Sequence, residues 1–148
     1  ALKSMVDDFR DYARLPAPAL AQLDLNALVT EVLSLYETSP VPIARSLAAG
    51  LPPVRADAQQ MRQVLHNLVQ NAQDALDKRE GAAIEVRTEA AGDRVRLTVA
   101  DNGGGFPEAM MARIFEPYVT TKPRGTGLGL AIVKKIVDEH HGEVAIEN

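Results

Sequence analysis

The chain has 148 residues, of which 46% are hydrophobic and 24% charged, a balance that suits one ordinary domain or one domain with an appendage. It has no cysteine, which excludes a disulfide scaffold and a thiolate zinc or iron–sulfur site. Its 16 Lys and Arg residues and 20 Asp and Glu residues give a net charge of −4, which argues against a general binder of nucleic-acid phosphates. No apolar run approaches the roughly 20 residues that cross a bilayer.

The first predicted element is an amphipathic helix over residues 1–14, in which apolar residues recur every three or four positions. Pro16 and Pro18 end it, because proline lacks the amide donor and disfavours helix in the preceding residue. We therefore expect residues 1–16 to be a helix end with a linker, and residues 17–148 to be a separate domain. The chain begins without Met in mid-helix pattern and ends on a strand-like run, so we expect a piece of a longer protein.

Residues 25–36 form the second predicted helix, with Asp24 or Asn26 as its N-cap. The proline-rich stretch that follows suits short strands around Ile43 and Val54.

A long helix is predicted from Asp57 as N-cap to Gly81 as terminator. Its buried side is expected to carry Met61, Val64, Leu65, Leu68, Ala72, Ala75 and Leu76. A polar stripe repeats at the same helical spacing and comprises Gln63, Asn67, Asn71, Asp74 and Lys78. Carboxamide oxygens suit Mg²⁺, a hard cation that often binds substrate phosphates as well. The alternative is a solvated helix face.

Residues 84–88 and 95–99 alternate apolar and polar side chains around a short glycine-containing turn, which predicts an antiparallel hairpin with one buried face. Asp101 ends the second strand and would place a carboxylate at the mouth of a cleft, where it could accept a hydrogen bond from an exocyclic amine. The alternative is an ordinary turn aspartate.

The last third of the chain is predicted to hold a short helix over residues 108–114, a helix from about Gly127 to His140 and a returning strand over residues 142–146. Six of the ten glycines lie in two clusters, residues 103–105 and residues 125, 127 and 129. A glycine run that opens a helix directs free amides and the helix dipole at an anion. The second cluster is therefore a candidate phosphate cradle, with a flexible hinge or a packing turn as the alternative. Its context fits neither a P-loop nor a Rossmann site.

Four motifs occur in order: NLVQNA at residues 67–72, DNGGGF at 101–106, FEPY at 115–118 and GTGLGL at 125–130. Together they resemble the N, G1, F and G2 boxes of sensor histidine kinases, and the sequence after the F box resembles the nitrogen-regulation branch of the NtrB and NtrY type. The resemblance covers about residues 20–148. It implies an α+β fold of the Bergerat (GHKL) type, in which helices cover one face of a mixed sheet and ATP lies under a mobile lid.

The resemblance also implies roles in binding ATP and Mg²⁺. Asn71 would coordinate Mg²⁺ with help from Asn67, Asp101 would accept from the adenine amino group, and Gly103 and Gly105 would let the loop pass near the base. The remaining residues of the expected ATP site are Lys78, Phe115, Thr120, Thr121, Lys122, Arg124, Gly125, Thr126, Gly127, Leu128, Gly129 and Leu130. Within this set, Phe115 and residues 120–124 would form the lid, and the glycines of the second cluster would present amides to the phosphates.

The chain departs from the family pattern at two points. Many relatives carry a lysine where this chain has Asp74, so the phosphate cation would come from Lys78, Arg79 or the lid. The strand that follows residues 142–148 in the family is missing, so we expect a truncated C-terminal strand.

The phosphoacceptor histidine of such kinases lies on a dimerisation hairpin, and residues 1–14 resemble the end of its second helix. The chain's own histidines do not fit that role, since His66 lies inside the magnesium motif and His140 and His141 end a helix. The expected function is therefore to bind Mg·ATP and donate the γ-phosphate to a histidine of the parent kinase, for transfer to a response regulator. We expect a cytoplasmic location, a homodimeric parent and neither nucleic-acid nor direct membrane contact; membrane anchoring of the parent is left open.

Two alternatives stay open at this point. One is a GHKL-type ATPase, although relatives that hydrolyse ATP carry a glutamate where this chain has Asn67, and an amide cannot take a proton from water. The other is a nucleotide-sensing or scaffold module with no transferase role.

Overall fold

A computed structural model describes residues 9–10, 12–119 and 128–148. The chain divides into two compact units, of which the first is Ala19–Gly105 and the second comprises Ala1–Pro18 and Phe106–Asn148. Within the described ranges, no helix has the length and apolar character needed to cross a membrane. The predicted boundary near residue 16 stays a prediction.

The first unit forms two small sheets and two helices. In chain order its elements are β1 (Ala21–Leu23), α1 (Leu25–Ser34), β2 (Ile43–Leu47), β3 (Val54–Ala56), α2 (Ala58–Ala75), β4 (Ile84–Ala91) and β5 (Arg94–Asp101). Strands β1 and β3 pair antiparallel. The larger sheet has the order β2-β4-β5, with β2 parallel to β4 and β5 antiparallel to it. The predicted mixed sheet and hairpin are therefore confirmed.

The hairpin has one buried face because its side chains alternate. Ile84, Val86 and Thr88 of β4 are buried while Arg87 and Glu89 are exposed. Val86 packs with Val29 and Leu33 of α1 and with Leu65 and Val69 of α2. Ile84 packs with Ala72 of α2 and with Leu76. Helices thus cover one face of the sheet, as expected.

An aspartate caps the start of each of these helices. Asp24 accepts a hydrogen bond from the Ala27 amide at 3.1 Å, and Asp57 accepts one from the Gln60 amide at 3.0 Å. The second oxygen of Asp57 also accepts from the Ala19 amide at 2.9 Å. Both caps satisfy amide donors that a helix start leaves without intrahelical partners.

Helix α2 ends at Ala75 and not at Gly81 as predicted. Lys78 and Gly81 have φ values of 61° and 67°, left-handed conformations through which a right-handed helix cannot continue.

The buried stripe of α2 also differs from the prediction. It advances by four, three and four residues through Leu65, Val69, Ala72 and Leu76, a drift that leaves Ala75 exposed. The prediction omitted Val69, which is fully buried, and wrongly included Ala75.

The second unit contains α3 (Glu108–Met111) and α4 (Gly129–Glu139) among its described residues. Helix α3 is shorter than the predicted 108–114 segment, and α4 agrees with prediction to within two residues at each end. The predicted strand over residues 142–146 is wrong, since a strand needs a hydrogen-bonded neighbour and no described segment pairs with these residues. A ring nitrogen of His140 donates to the Ile136 carbonyl at 2.8 Å, as expected for a histidine at a helix C-terminus.

Candidate functional site

The predicted polar stripe forms one face of α2. Gln63, Asn67, Asn71 and Asp74 lie within roughly 80° of one another around the helix axis, at about 100° per residue. The first three are half-buried and Asp74 is exposed. The stripe lies about opposite the core-facing Leu65 and Val69. Lys78 does not continue it, because Lys78 lies beyond the end of the helix and is exposed.

A third face of α2 is fixed against α1 and the segment that follows α1. Arg62 pairs with Glu31. The Tyr36 hydroxyl and His66 Nδ1 share a hydrogen bond of 2.6 Å. About two turns further along, Gln73 Nε2 donates to Ser39 Oγ at 2.7 Å. These contacts set the rotation of α2 about its axis and so determine where the polar stripe faces.

Two side chains on this side of α1 and α2, Glu31 and Tyr36, have shifted pKa values. The hydrogen bond and charge of Arg62 lower the pKa of Glu31 below its usual range. Burial raises the pKa of the Tyr36 phenol above its usual range. His66 is engaged with Tyr36 and lies on a different face of α2 from Asn67 and Asn71.

Asp101 ends β5 with one carboxylate oxygen held and the other available. Its Oδ1 accepts a hydrogen bond from the Gly103 amide at 2.8 Å. No hydrogen bond to Oδ2 occurs within the described part of the chain, and the side chain is exposed. An aspartate in this state can accept a hydrogen bond from a ligand without giving up its own backbone contact.

The first glycine cluster lies against the end of α2. A Cβ at Gly103 would come within 2.9 Å of Asp101 Oδ1 and 3.3 Å of the Ala75 carbonyl oxygen, so a side chain here would crowd the Asp101 carboxylate and the end of α2. Gly105 has a φ of 74°, a left-handed conformation that glycine adopts at no steric cost. The structure therefore brings Asp101, the first cluster and the C-terminal end of the carboxamide helix together within one unit.

Two residues beside this site were missed or given another role at the sequence level. Arg79, suggested only as a source of positive charge, has a guanidinium nitrogen 3.6 Å from where a Cβ of Gly104 would stand. Asn102 holds the turn that contains Gly81 through its side-chain amide. No local signal in the DNGGG run could have found this contact, because asparagine in such a run commonly bonds nearby backbone, whereas these partners lie 19 and 21 residues away in sequence.

Other predicted site residues belong to the second unit. Phe115 is half-buried and lines a cavity of about 490 Å³ with residues that include Tyr12 and Lys135. Lys135 Nζ donates to the Tyr12 carbonyl at 3.2 Å and lies over the Tyr12 ring.

The described part of the second glycine cluster opens α4. Leu128 is buried as the residue before the helix, and Gly129 and Leu130 form its first turn, half-buried. A Cβ at Gly129 would meet nothing within 4 Å, so close packing does not explain this glycine. The remaining predictions, Thr120, Thr121, Lys122, Arg124, Gly125, Thr126 and Gly127, lie outside the described residues.

Comparison with known proteins adds a family match. Residues 56–148 match the model of the histidine kinase-, DNA gyrase B- and HSP90-like ATPases. The chain is 37% identical over 149 residues to an NtrY-like sensor histidine kinase of Rickettsia conorii, an alignment that covers 99% of this chain and 25% of that protein. The chain therefore spans about a quarter of the length of such relatives.

Solved structures show the same fold. Full-length ShkA in complex with AMPPNP superimposes with a TM-score of 0.80 at 35% identity, over 93% of this chain and 31% of that one. Histidine kinase ThkA in complex with the response regulator TrrA gives a TM-score of 0.77 at 30% identity, over 95% and 41% respectively. The α+β fold expected from the four motifs is confirmed.

Proposed function

We propose that this chain binds Mg·ATP and serves as the phosphate-donating domain of a sensor histidine kinase, because it belongs to the family of histidine kinase-, DNA gyrase B- and HSP90-like ATPases. In the longer protein the γ-phosphate would pass to a histidine of a dimerisation domain and then to a response regulator. The observation that carries the proposal is the grouping of the carboxamide stripe, the Asp101 carboxylate and the first glycine cluster in one unit.

The donor set fits a magnesium nucleotide. The proposed ligands are the amide oxygens of Asn71 and Asn67, the asparagines of the motif that resembles the N box of sensor histidine kinases. Amide oxygens are hard neutral donors, and Mg²⁺ commonly completes its shell with water and phosphate oxygens. When bound, the ion would neutralise phosphate charge. The same neutralisation matters more here because the chain itself is negatively charged.

The base would be held at Asp101. Its Oδ2 is the available acceptor, and an exocyclic amine of adenine is a matching donor. Gly103 and Gly105 would allow the base to approach the loop backbone, since neither carries a side chain. Guanine presents an oxygen at the corresponding position, and two acceptors facing each other repel, so the site would prefer ATP to GTP.

The second glycine cluster is the proposed phosphate-binding segment. We assign amide donation to residues 125–130, with the first turn of α4 contributing through Leu128, Gly129 and Leu130. Residues 120–124 and Phe115 would cover the nucleotide as a lid, and Lys122 and Arg124 would supply positive charge. Phosphoryl transfer depends chiefly on such positioning and charge neutralisation.

Transfer is favoured over hydrolysis because the chain lacks a general base in the expected place. Asn67 lies one turn before Asn71 on the same face of α2. Its amide cannot accept a proton from water, so activation of a water nucleophile would be slow.

The accepting histidine would come from the longer protein. His66 is hydrogen-bonded to Tyr36 and supports the packing of α2. The His140 ring donates to the Ile136 carbonyl and supports the end of α4. The solved complex of ThkA with TrrA supports a response regulator as the next acceptor. We also propose a homodimeric parent whose catalytic domain lies in the cytoplasm.

Titration calorimetry tests binding directly. We expect a non-hydrolysable ATP analogue to bind this chain with a 1:1 stoichiometry and to bind much more weakly after magnesium is removed with a chelator. Absence of any binding heat at millimolar analogue, with the chain shown to be folded by circular dichroism, would contradict the proposal.

Transfer is tested with the parent kinase that contains the dimerisation hairpin. Label from γ-labelled ATP should appear on a histidine of the hairpin and then on a response-regulator aspartate. Rapid release of labelled phosphate without labelled protein would indicate an ATPase. Binding with neither label nor release would indicate a nucleotide sensor.

A further inference from the structure

Asn102 closes a compact hydrogen-bonded clamp next to Asp101. Its Oδ1 accepts from the Ala83 amide at 2.9 Å, and its Nδ2 donates to the Gly81 carbonyl at 2.7 Å. Its own backbone amide donates to the Ala83 carbonyl at 3.3 Å. Three hydrogen bonds therefore tie this one residue to the turn between α2 and β4.

The clamp requires a side-chain carboxamide. The turn presents one donor and one acceptor side by side, and an amide group offers an acceptor and a donor in one plane at that separation. An aspartate at this position could accept from Ala83 but could not donate to the Gly81 carbonyl. An alanine could do neither.

The clamp holds the backbone next to Asp101, the residue with the predicted base-binding carboxylate. Asp101 precedes Asn102, and Gly103, whose amide holds Asp101 Oδ1, follows it. The loop is also pressed against the Ala75 carbonyl at Gly103. The hydrogen bonds of Asn102 to Gly81 and Ala83 hold the backbone at residue 102, and the Gly103 amide holds Asp101 Oδ1. These contacts together fix the direction in which Asp101 Oδ2 points.

We propose that Asn102 is a positioning residue for nucleotide-base recognition, acting by holding the 101–103 backbone so that Asp101 Oδ2 points toward the base. The inference rests on the proposed function, since it assumes that Asp101 accepts a hydrogen bond from adenine. Asn102 itself contacts no nucleotide in this scheme.

The chain offers a matched control in the same unit. Asn26 makes an equivalent clamp, donating from Nδ2 to the Ala48 carbonyl at 2.8 Å and accepting from Thr88 Oγ1 at 2.6 Å. Asn26 is half-buried whereas Asn102 is exposed. Asn26→Ala should therefore lower the free energy of unfolding at least as much as Asn102→Ala does.

The experiment measures the dissociation constants of non-hydrolysable ATP and GTP analogues for the wild type, Asn102→Ala, Asn102→Asp and Asn26→Ala. All are compared at a temperature where circular dichroism shows complete folding. We expect Asn102→Ala to weaken ATP binding roughly tenfold and to reduce the ratio of ATP to GTP affinity by a similar factor. Asn102→Asp, which keeps the bond to Ala83 but cannot donate to the Gly81 carbonyl, should show the same direction of change. Asn26→Ala should leave both constants within twofold of wild type.

Equal affinities of the Asn102 variants and the wild type for both analogues would overturn the inference while leaving the proposed function intact. An equal loss in Asn26→Ala would also overturn it, because the effect would then follow from general destabilisation. Failure of the wild type to bind the ATP analogue would overturn the proposed function, and the inference with it.

Discussion

The Asp101 carboxylate offers the sharpest test of the proposed base site, through the substitution Asp101→Asn. The structure determines which end of the new amide faces the ligand. The Gly103 amide needs an acceptor at 2.8 Å, so the carbonyl oxygen of the introduced asparagine stays with Gly103. Its NH₂ group then takes the place of Oδ2. A donor consequently replaces the acceptor that the adenine amine requires.

The size of the effect follows from the type of hydrogen bond removed. A hydrogen bond to a charged group contributes about 1.5–3 kcal/mol, which corresponds to a loss of roughly 10- to 150-fold in ATP affinity. The unfolding free energy should change little, within about 0.5 kcal/mol, because Asp101 is exposed and its bond to Gly103 is kept. GTP affinity should fall less or rise, since guanine carries an acceptor where adenine carries the amine.

Calorimetry with ATP and GTP analogues, combined with urea unfolding of the same samples, separates these effects. Equal ATP affinities for the variant and the wild type would refute the base-recognition role. So would a loss that is identical for ATP and GTP, because that result would indicate damage to the phosphate site or to the fold.

Asn71→Ala should abolish the magnesium dependence of nucleotide binding, measured by titration with and without a chelator. Gln70→Ala, a change at an exposed position on the same helix, should keep that dependence. An unchanged metal titration for Asn71→Ala would remove Asn71 from the ligand set. Asp57→Ala should lower the free energy of unfolding by about 1–2 kcal/mol in urea titrations, since it removes a helix cap and the bond to Ala19 together; a loss below about 0.3 kcal/mol would contradict the assigned cap. The Glu31 pKa is lowered from its ordinary value near 4.5, so the stabilisation from this carboxylate should be complete above that value and be lost as pH falls through the lower folded-state pKa. Urea unfolding of wild type and Glu31→Gln should therefore differ at pH 7 and converge once the pH falls below the lowered folded-state pKa of Glu31. A difference that does not shrink as the pH falls would point to packing.

Local chemistry made the starts of the helices predictable from sequence, but not all of their details. Asp57 was identified because a capping carboxylate before a periodic apolar run is a local signal. Asp24 and Asn26 were both acceptable caps by the same rule. What separates them is a long-range bond, since the Asn26 side chain is engaged with Ala48 and Thr88, more than twenty residues away in sequence.

The end of α2 was harder to predict than its start. Gly81 is a good terminator by type, but the helix stops earlier, and the non-glycine Lys78 already adopts a left-handed conformation. The turn is held there by Asn102 from the far end of β5, a contact that no local pattern reveals. Arg79 lies beside the first glycine cluster for the same reason.

The site residues of the first unit could be predicted from their types, because glycine, carboxamide and carboxylate side chains at such spacings have few common functions. The sequence could not indicate that Gly103 lies against the end of α2, where a Cβ would stand 3.3 Å from the Ala75 carbonyl oxygen. Nor could it indicate that one oxygen of Asp101 is already committed to the backbone. The lid and most of the second glycine cluster remain predictions.

The parallel pairing of β2 with β4 links the integrity of the sheet to the helix that carries the carboxamides. Parallel neighbours need a crossover connection, and the connection between the paired residues Ile43 and Ile84 contains α2. The β4–β5 hairpin is local and needs no such help, so we expect it to assemble first and β2 to join last. Evolution can therefore alter the polar side of α2 for a new ligand only within the limits that keep the edge strand attached.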